Sequence, residues 1–141
     1  MLKRKNQGFT LIELLIAIAI IGVLISIIVT SLGKARTRGA DAKVKSQLAS
    51  LRNSAETYFD NHGDYSTASS CTEGMFIDPD TGMSQYTSLT SYPAGTTIKC
   101  NASGITYAVS TNVPTGGYWC VDSDGNNHAE ASDPNGASIC P

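Results

Sequence analysis

The chain has 141 residues, enough for at most one globular domain and a stalk. Its formal charge of −2 hides a strong polarity: from Asn53 onward Lys99 is the one Lys or Arg, facing ten Asp and Glu. That balance gives no direct nucleic-acid site in the C-terminal part, where aromatics interleaved with cations would be needed for single strands.

At the N-terminus Lys3, Arg4 and Lys5 precede Gly8-Phe9, and residues 11–32 then run apolar with Glu13 as the single ionisable side chain. Those 22 residues, as a helix, cross a hydrocarbon core of about 30 Å. A secretory signal peptide would have an apolar core of about 7–15 residues and a small-residue cleavage site; Ser31-Leu32-Gly33 is the nearest candidate. An uncleaved anchor accounts for the length but leaves Glu13 unpaired, and a charge there costs about 2.5 kcal/mol or more. The basic leader favours a cytoplasmic N-terminus, although Lys34, Arg36 and Arg38 follow the span.

The run Gln7-Gly8-Phe9-Thr10-Leu11-Ile12-Glu13-Leu14-Leu15-Ile16 resembles the class III signal of type IV pilins and type II secretion pseudopilins. The resemblance is specific from Lys3 to about Gly33. It implies that a prepilin peptidase cuts after Gly8 and methylates Phe9, and that Glu13 meets a neighbouring subunit's amine. Cleavage would create a cation at Phe9, and a carboxylate four residues on can compensate it in low dielectric. One departure is visible: many members carry a proline midway along this helix, whereas this chain has none between Phe9 and Asn61. Gly22 and Gly33 are the available weak points, glycine being about 1 kcal/mol poorer than alanine in a helix.

Beyond the span, Val44, Leu48, Leu51, Ala55, Tyr58 and Phe59 recur at helical spacing among polar residues, which predicts a one-sided helix. Asn61-His62-Gly63 predicts its end, with glycine as the left-handed C-cap. Unbroken from Phe9 to Asn61, such a helix would measure about 80 Å. Residues 62–95 form a connection in which 64–93 have little periodicity. Alternation over 97–100, 105–110 and 118–121, with turns at 101–104 and 114–117, predicts an antiparallel meander within 96–122. A fourth strand is expected if 137–140 pairs. So small a sheet must lie on something apolar, and the Val44–Phe59 face is the available partner.

Cys71, Cys100, Cys120 and Cys140 all follow the apolar segment. An even count in a small exported domain reads as two disulfides in an oxidising compartment, with three connectivities open. No pair has C-x₂₋₄-C spacing for a structural metal. The pilin resemblance implies Cys120–Cys140 as the bridge of a C-terminal loop (120–140), leaving Cys71–Cys100. Asp122 and Asp124 begin a run of alternating oxygen ligands that suits calcium, with Asn126, Glu130 and Asp133 as further oxygens. Gly125 stands fourth rather than sixth, so this is not an EF-hand, and an Asp-Gly turn with solvated acids competes with it. Asn101-Ala102-Ser103 fits a glycosylation acceptor but is read as a turn. His62 and His128 lack a nucleophile or paired acid, so no enzyme is expected.

The expected architecture is α+β and pilin-like. It comprises a leader (1–8), a transmembrane and filament-core helix (9–33), its amphipathic second half (34–61) packed on a small antiparallel sheet, and a disulfide-stapled head (62–141). The expected function is a structural subunit of a type IV pilus-like filament. The implied partners are copies of itself, a prepilin peptidase, an inner-membrane assembly platform and ATPase, and the membrane before assembly. Localisation would be single-pass in the membrane, then a surface pilus or periplasm-spanning pseudopilus. A secretion or DNA-uptake pseudopilin is the near alternative, and a monomeric membrane-anchored ligand- or calcium-binding protein the more distant one. No other cofactor is expected. The basic residues at 34–52 suit packing against another subunit's acidic head.

Overall fold

The computed structural model describes residues 8–130, 133 and 136–141. Residues 1–7, with Lys3, Arg4 and Lys5 of the leader, lie outside the described residues. The contacts divide the chain into two units, residues 1–36 and 37–141.

Helix α1 (Leu11–His62) passes through both units. Its first part is apolar on every side and exposed throughout the described residues, and it contains an 18-residue window of mean hydropathy 3.0. By length and composition it can cross a membrane. In the second unit the helix turns amphipathic. Val44, Leu48, Leu51 and Ala55 are fully buried, and Tyr58 and Phe59 pack at the edge of the same core. The helix stops where Gly63 takes a φ of +82° and donates its N–H to the Phe59 carbonyl at 2.7 Å. That left-handed cap suits glycine and leaves β-carbon-bearing residues strained.

The sheet has five antiparallel strands in the order β1 (Thr67–Ala68), β2 (Ile98–Ser103), β3 (Tyr107–Asn112), β4 (Tyr118–Asp122) and β5 (Asn127–Glu130). The expected meander forms its centre, and two corrections apply at its edges. The fourth partner of the meander is 127–130, not 137–140, and Thr67–Ala68 adds a short strand on the other side. Strand pairing therefore extends beyond 96–122. β2 also continues through 101–103, so the turn is tighter than expected and lies at 104–105.

Register sorts the side chains between two faces. Cys100, Val109 and Val121 align on the face toward the main core, which also takes in Tyr107, Ala102, Met75, Phe76 and Met83. Ala108 and Cys120 belong to the opposite face and form a separate cluster with Cys140. Residues 107–111 are all buried because the helix covers one side and the C-terminal segment the other. The connection from 64 to 93 is filled by single turns, Gly74–Ile77 and Leu89–Ser91, and by the short helix α2 (Met83–Thr87). Met75, Phe76 and Met83 anchor it in the core, so burial rather than periodicity orders this loop.

Candidate assembly site at the helix start

In the first unit, Phe9 is 84 % exposed and Thr10 stands one residue before α1. Thr10 donates its N–H (2.9 Å) and its hydroxyl (2.7 Å) to Glu13 Oε2, while Glu13 N–H donates to Thr10 Oγ1 at 3.3 Å. This is a capping box: the side chains at the cap and three residues on exchange bonds with each other's backbone. Glu13 therefore has a local partner that an argument from charge alone overlooks. The Thr-x-x-Glu spacing ahead of an apolar run is the signal for it. Both side-chain bonds fall on Oε2, and Oε1 has no partner among the described residues.

In the second unit, three contacts fasten the stem to the sheet. The Asp41 carboxylate accepts from the Thr115 N–H at 3.1 Å and from its hydroxyl, which ties the helix to the β3–β4 turn. Lys45 Nζ lies 4.1 Å from the centre of the Trp119 ring. Arg52 donates to the Gly125 carbonyl at 3.3 Å in the β4–β5 turn. None of these long-range partners could be read from sequence spacing. The same turns depend on glycine: Gly117 has φ +80°, and a β-carbon there would meet the Glu130 carbonyl at 2.9 Å.

Cys71 bonds to Cys100 and Cys120 to Cys140, and no cysteine is free. Asp122, at the end of β4, gathers donors on both carboxylate oxygens. Its Oδ1 accepts N–H bonds from Asp124 (3.0 Å) and Asn126 (2.9 Å), and its Oδ2 accepts from Asn126 Nδ2 (2.8 Å) and Cys140 N–H (2.8 Å). Four donors thus occupy the four lone-pair sites of the Asp122 carboxylate in this structure. Among the described residues no three His, Cys, Asp or Glu side chains gather as a metal-ligand set. Asp122 instead binds its own turn and holds the C-terminal segment beside the second disulfide. Burial alone would raise its pKa, but the hydrogen bonds from Asn126, Cys140 and Asp124 outweigh burial and hold it below the usual value.

A glycine-phenylalanine junction, an exposed apolar helix with a carboxylate in its first turn, and a disulfide-bonded sheet define a pilin-like protein. Residues 3–29 match the family model for the prokaryotic N-terminal methylation motif. The chain is 32 % identical to the type IV narrow pilus major component PilA5 of Thermus thermophilus, over 75 % of this chain and 88 % of that protein. It is also 37 % identical to the type IV major pilin protein PilA of Myxococcus xanthus, over 44 % of this chain and 28 % of that one. A 39 % identity to the type II secretion system core protein G of Escherichia coli covers 41 % of each chain. The chain belongs to the family of type IV pilins and type II secretion pseudopilins.

Proposed function

We propose that this chain is the structural subunit of a type IV pilus-like filament, made as a membrane-anchored precursor and polymerised through α1. The observation that carries the reading is the helix start. An exposed apolar helix opens directly after Gly8-Phe9, and Glu13 keeps one carboxylate oxygen unclaimed among the described residues. A prepilin peptidase would cut after Gly8 and methylate Phe9, leaving a cation beside that carboxylate. Oε2 then holds the subunit's own helix start, and Oε1 accepts the Phe9 amine of a neighbouring copy. Once helices bundle in a dry core, an unpaired charge costs several kcal/mol, so the pairing favours one axial register. An inner-membrane platform and ATPase would supply the work of extraction. The subunit would reside in the membrane before assembly and in a surface pilus or periplasmic pseudopilus afterwards. Support for the pilus over the secretion reading is the broad coverage of the Thermus thermophilus pilus component.

Intact-mass analysis of the assembled form tests processing. The expected mature chain begins at methylated Phe9, and a chain beginning at Met1 would remove the reading. Glu13→Ala tests assembly: cleaved, membrane-resident subunit should persist while filaments fall to few or none. Normal filaments from that variant would show that the carboxylate does not pair subunits.

A further inference from the structure

We infer that the outer edge of β2, at Ile98 and Cys100, accepts an extended, uncharged segment of another polypeptide, which adds to the sheet there as a further strand. The inference concerns the head alone and stands apart from the filament reading.

β2 has six residues and β1 two, and β1 covers only Ala102 and Ser103. The N–H and C=O of a strand residue point to the same side, and successive residues alternate. Ser103 donates its N–H to the Thr106 carbonyl at 2.8 Å, and Thr97 donates its own to Asn112 Oδ1 at 2.6 Å. Odd-numbered residues of β2 therefore bond toward β3, and Ala102, Cys100 and Ile98 face the other way. Ala102 pairs with Ala68 of β1. The backbone groups of Cys100 and Ile98 have no partner among the described residues, although Cys100 is only 5 % exposed. Cys71 stands beside Cys100, their Cα atoms 4.9 Å apart, but the disulfide joins them without a backbone bond. The position beyond it, opposite Ile98, is open. Backbone groups out of water are almost always paired, so this edge is an unfilled place in the sheet.

A groove of about 810 Å³ lies along this edge, within the size range of natural ligand clefts. Ile98 and the exposed Leu89 give it apolar surface, while Lys99 and Gly136 border it from the face that carries Ala108 and Cys120. The groove thus straddles the strand edge, as an added strand requires. Lys99 is the one charged residue lining it among the described residues, and it is paired with Asp133. An uncharged occupant matches that lining, because a charged one would enter without a counter-ion. The hydroxyls of the walls bond to one another, Ser70 with Thr72 at 3.0 Å and Ser88 with Thr90 at 2.8 Å. What the groove leaves unmet is backbone, and the ligand that meets a backbone edge is another backbone. A saccharide would draw on the wall hydroxyls and give no reason for the open edge.

The test uses the full isotope-labelled chain in detergent, with the capped neutral peptide acetyl-Thr-Val-Thr-Val-Thr-amide as probe, since β-branched residues favour the strand form. An antiparallel residue opposite Ile98 accepts from the Ile98 N–H and donates to its carbonyl. Titration followed by NMR should therefore shift the Ile98 amide resonance and slow its hydrogen exchange. The same peptide N-methylated throughout lacks the donors and should bind about tenfold more weakly or worse. Ile98→Pro removes the outward donor and leaves the β3 pairing of Lys99 and Asn101. Proline is tolerated where a strand N–H faces outward, so this variant should fold and lose the peptide. Leu89→Asp, on an exposed wall, should weaken binding without touching the sheet. No response of the Ile98 amide at millimolar peptide would overturn the acceptor edge. So would equal binding of the methylated peptide or of a neutral oligosaccharide. The filament reading is untouched by any of these results.

Discussion

The hydroxyl of Tyr107 is buried in the main core with no hydrogen-bond partner among the described residues. Its ring is well used, edge-on to Tyr65 at 4.8 Å, and burial, first of all, drives its pKa up. An unmet buried hydroxyl carries a desolvation cost with no bond to offset it. Tyr107→Phe should therefore keep the ring contacts and raise stability by about 1 kcal/mol, seen as a higher melting temperature of the detergent-solubilised chain. Asp122 is the opposite case, a buried acceptor with every site filled. Asp122→Asn replaces one oxygen by a donor that faces two N–H groups, and should cost about 2 kcal/mol or more. The pH dependence has a defined sign. A carboxyl whose folded pKa is lowered contributes stability above its unfolded pKa, near 3.9, and loses it as pH falls further through the folded value. Wild-type stability should thus drop on acidification below about pH 4, and the Asn variant should lack that component.

Among the elements, those with an apolar side are legible in the sequence. The Val44–Ala55 stripe and the three central strands follow from an apolar side turned toward the core, and the Asn61-His62-Gly63 stop from its glycine cap. Elements made by pairing alone are not. β5 reads Asn-His-Ala-Glu and β1 has two residues, so neither shows alternation; backbone bonds to β4 and β2 create them. The carboxylates at 13, 41 and 122 are visible as charges; Thr-x-x-Glu spacing signals the partner of the first, but Asp41 and Asp122 bond across the fold, where spacing gives no sign. The cysteine spacing leaves three pairings open, and proximity in the sheet decides among them. The bridges also differ in access. Cys71 is half-buried and lines a groove beside Leu89 and Ile98, whereas both Cys120 and Cys140 are buried. Graded reduction followed by alkylation and peptide mass analysis should open Cys71–Cys100 first. Opening Cys120–Cys140, which closes a 20-residue separation, should cost about 3 kcal/mol. Preferential loss of the buried bridge would contradict this order.

For the molecule as a whole, charge and apolar surface are sorted along one chain: an apolar N-terminal helix, a basic stem and an acidic head. Such sorting is of little use to an isolated monomer, whose exposed apolar helix needs either lipid or other helices around it. It suits a particle that moves from membrane to filament, exchanging one apolar environment for another. Within the second unit, the joint between stem and sheet is spread along the helix from Asp41 to Ala55, with the Thr115, Trp119 and Gly125 contacts at separate heights.

Were the chain pulled along its length, the first disulfide would govern how far it can lengthen. Cys71–Cys100 spans a separation of 29 residues, about 100 Å of extended backbone, which stays locked even if β2 were peeled from its neighbours. The segment so locked is the one that Met75, Phe76 and Met83 anchor in the core. A pulled head can loosen around the crosslink, but the connection cannot run out as slack.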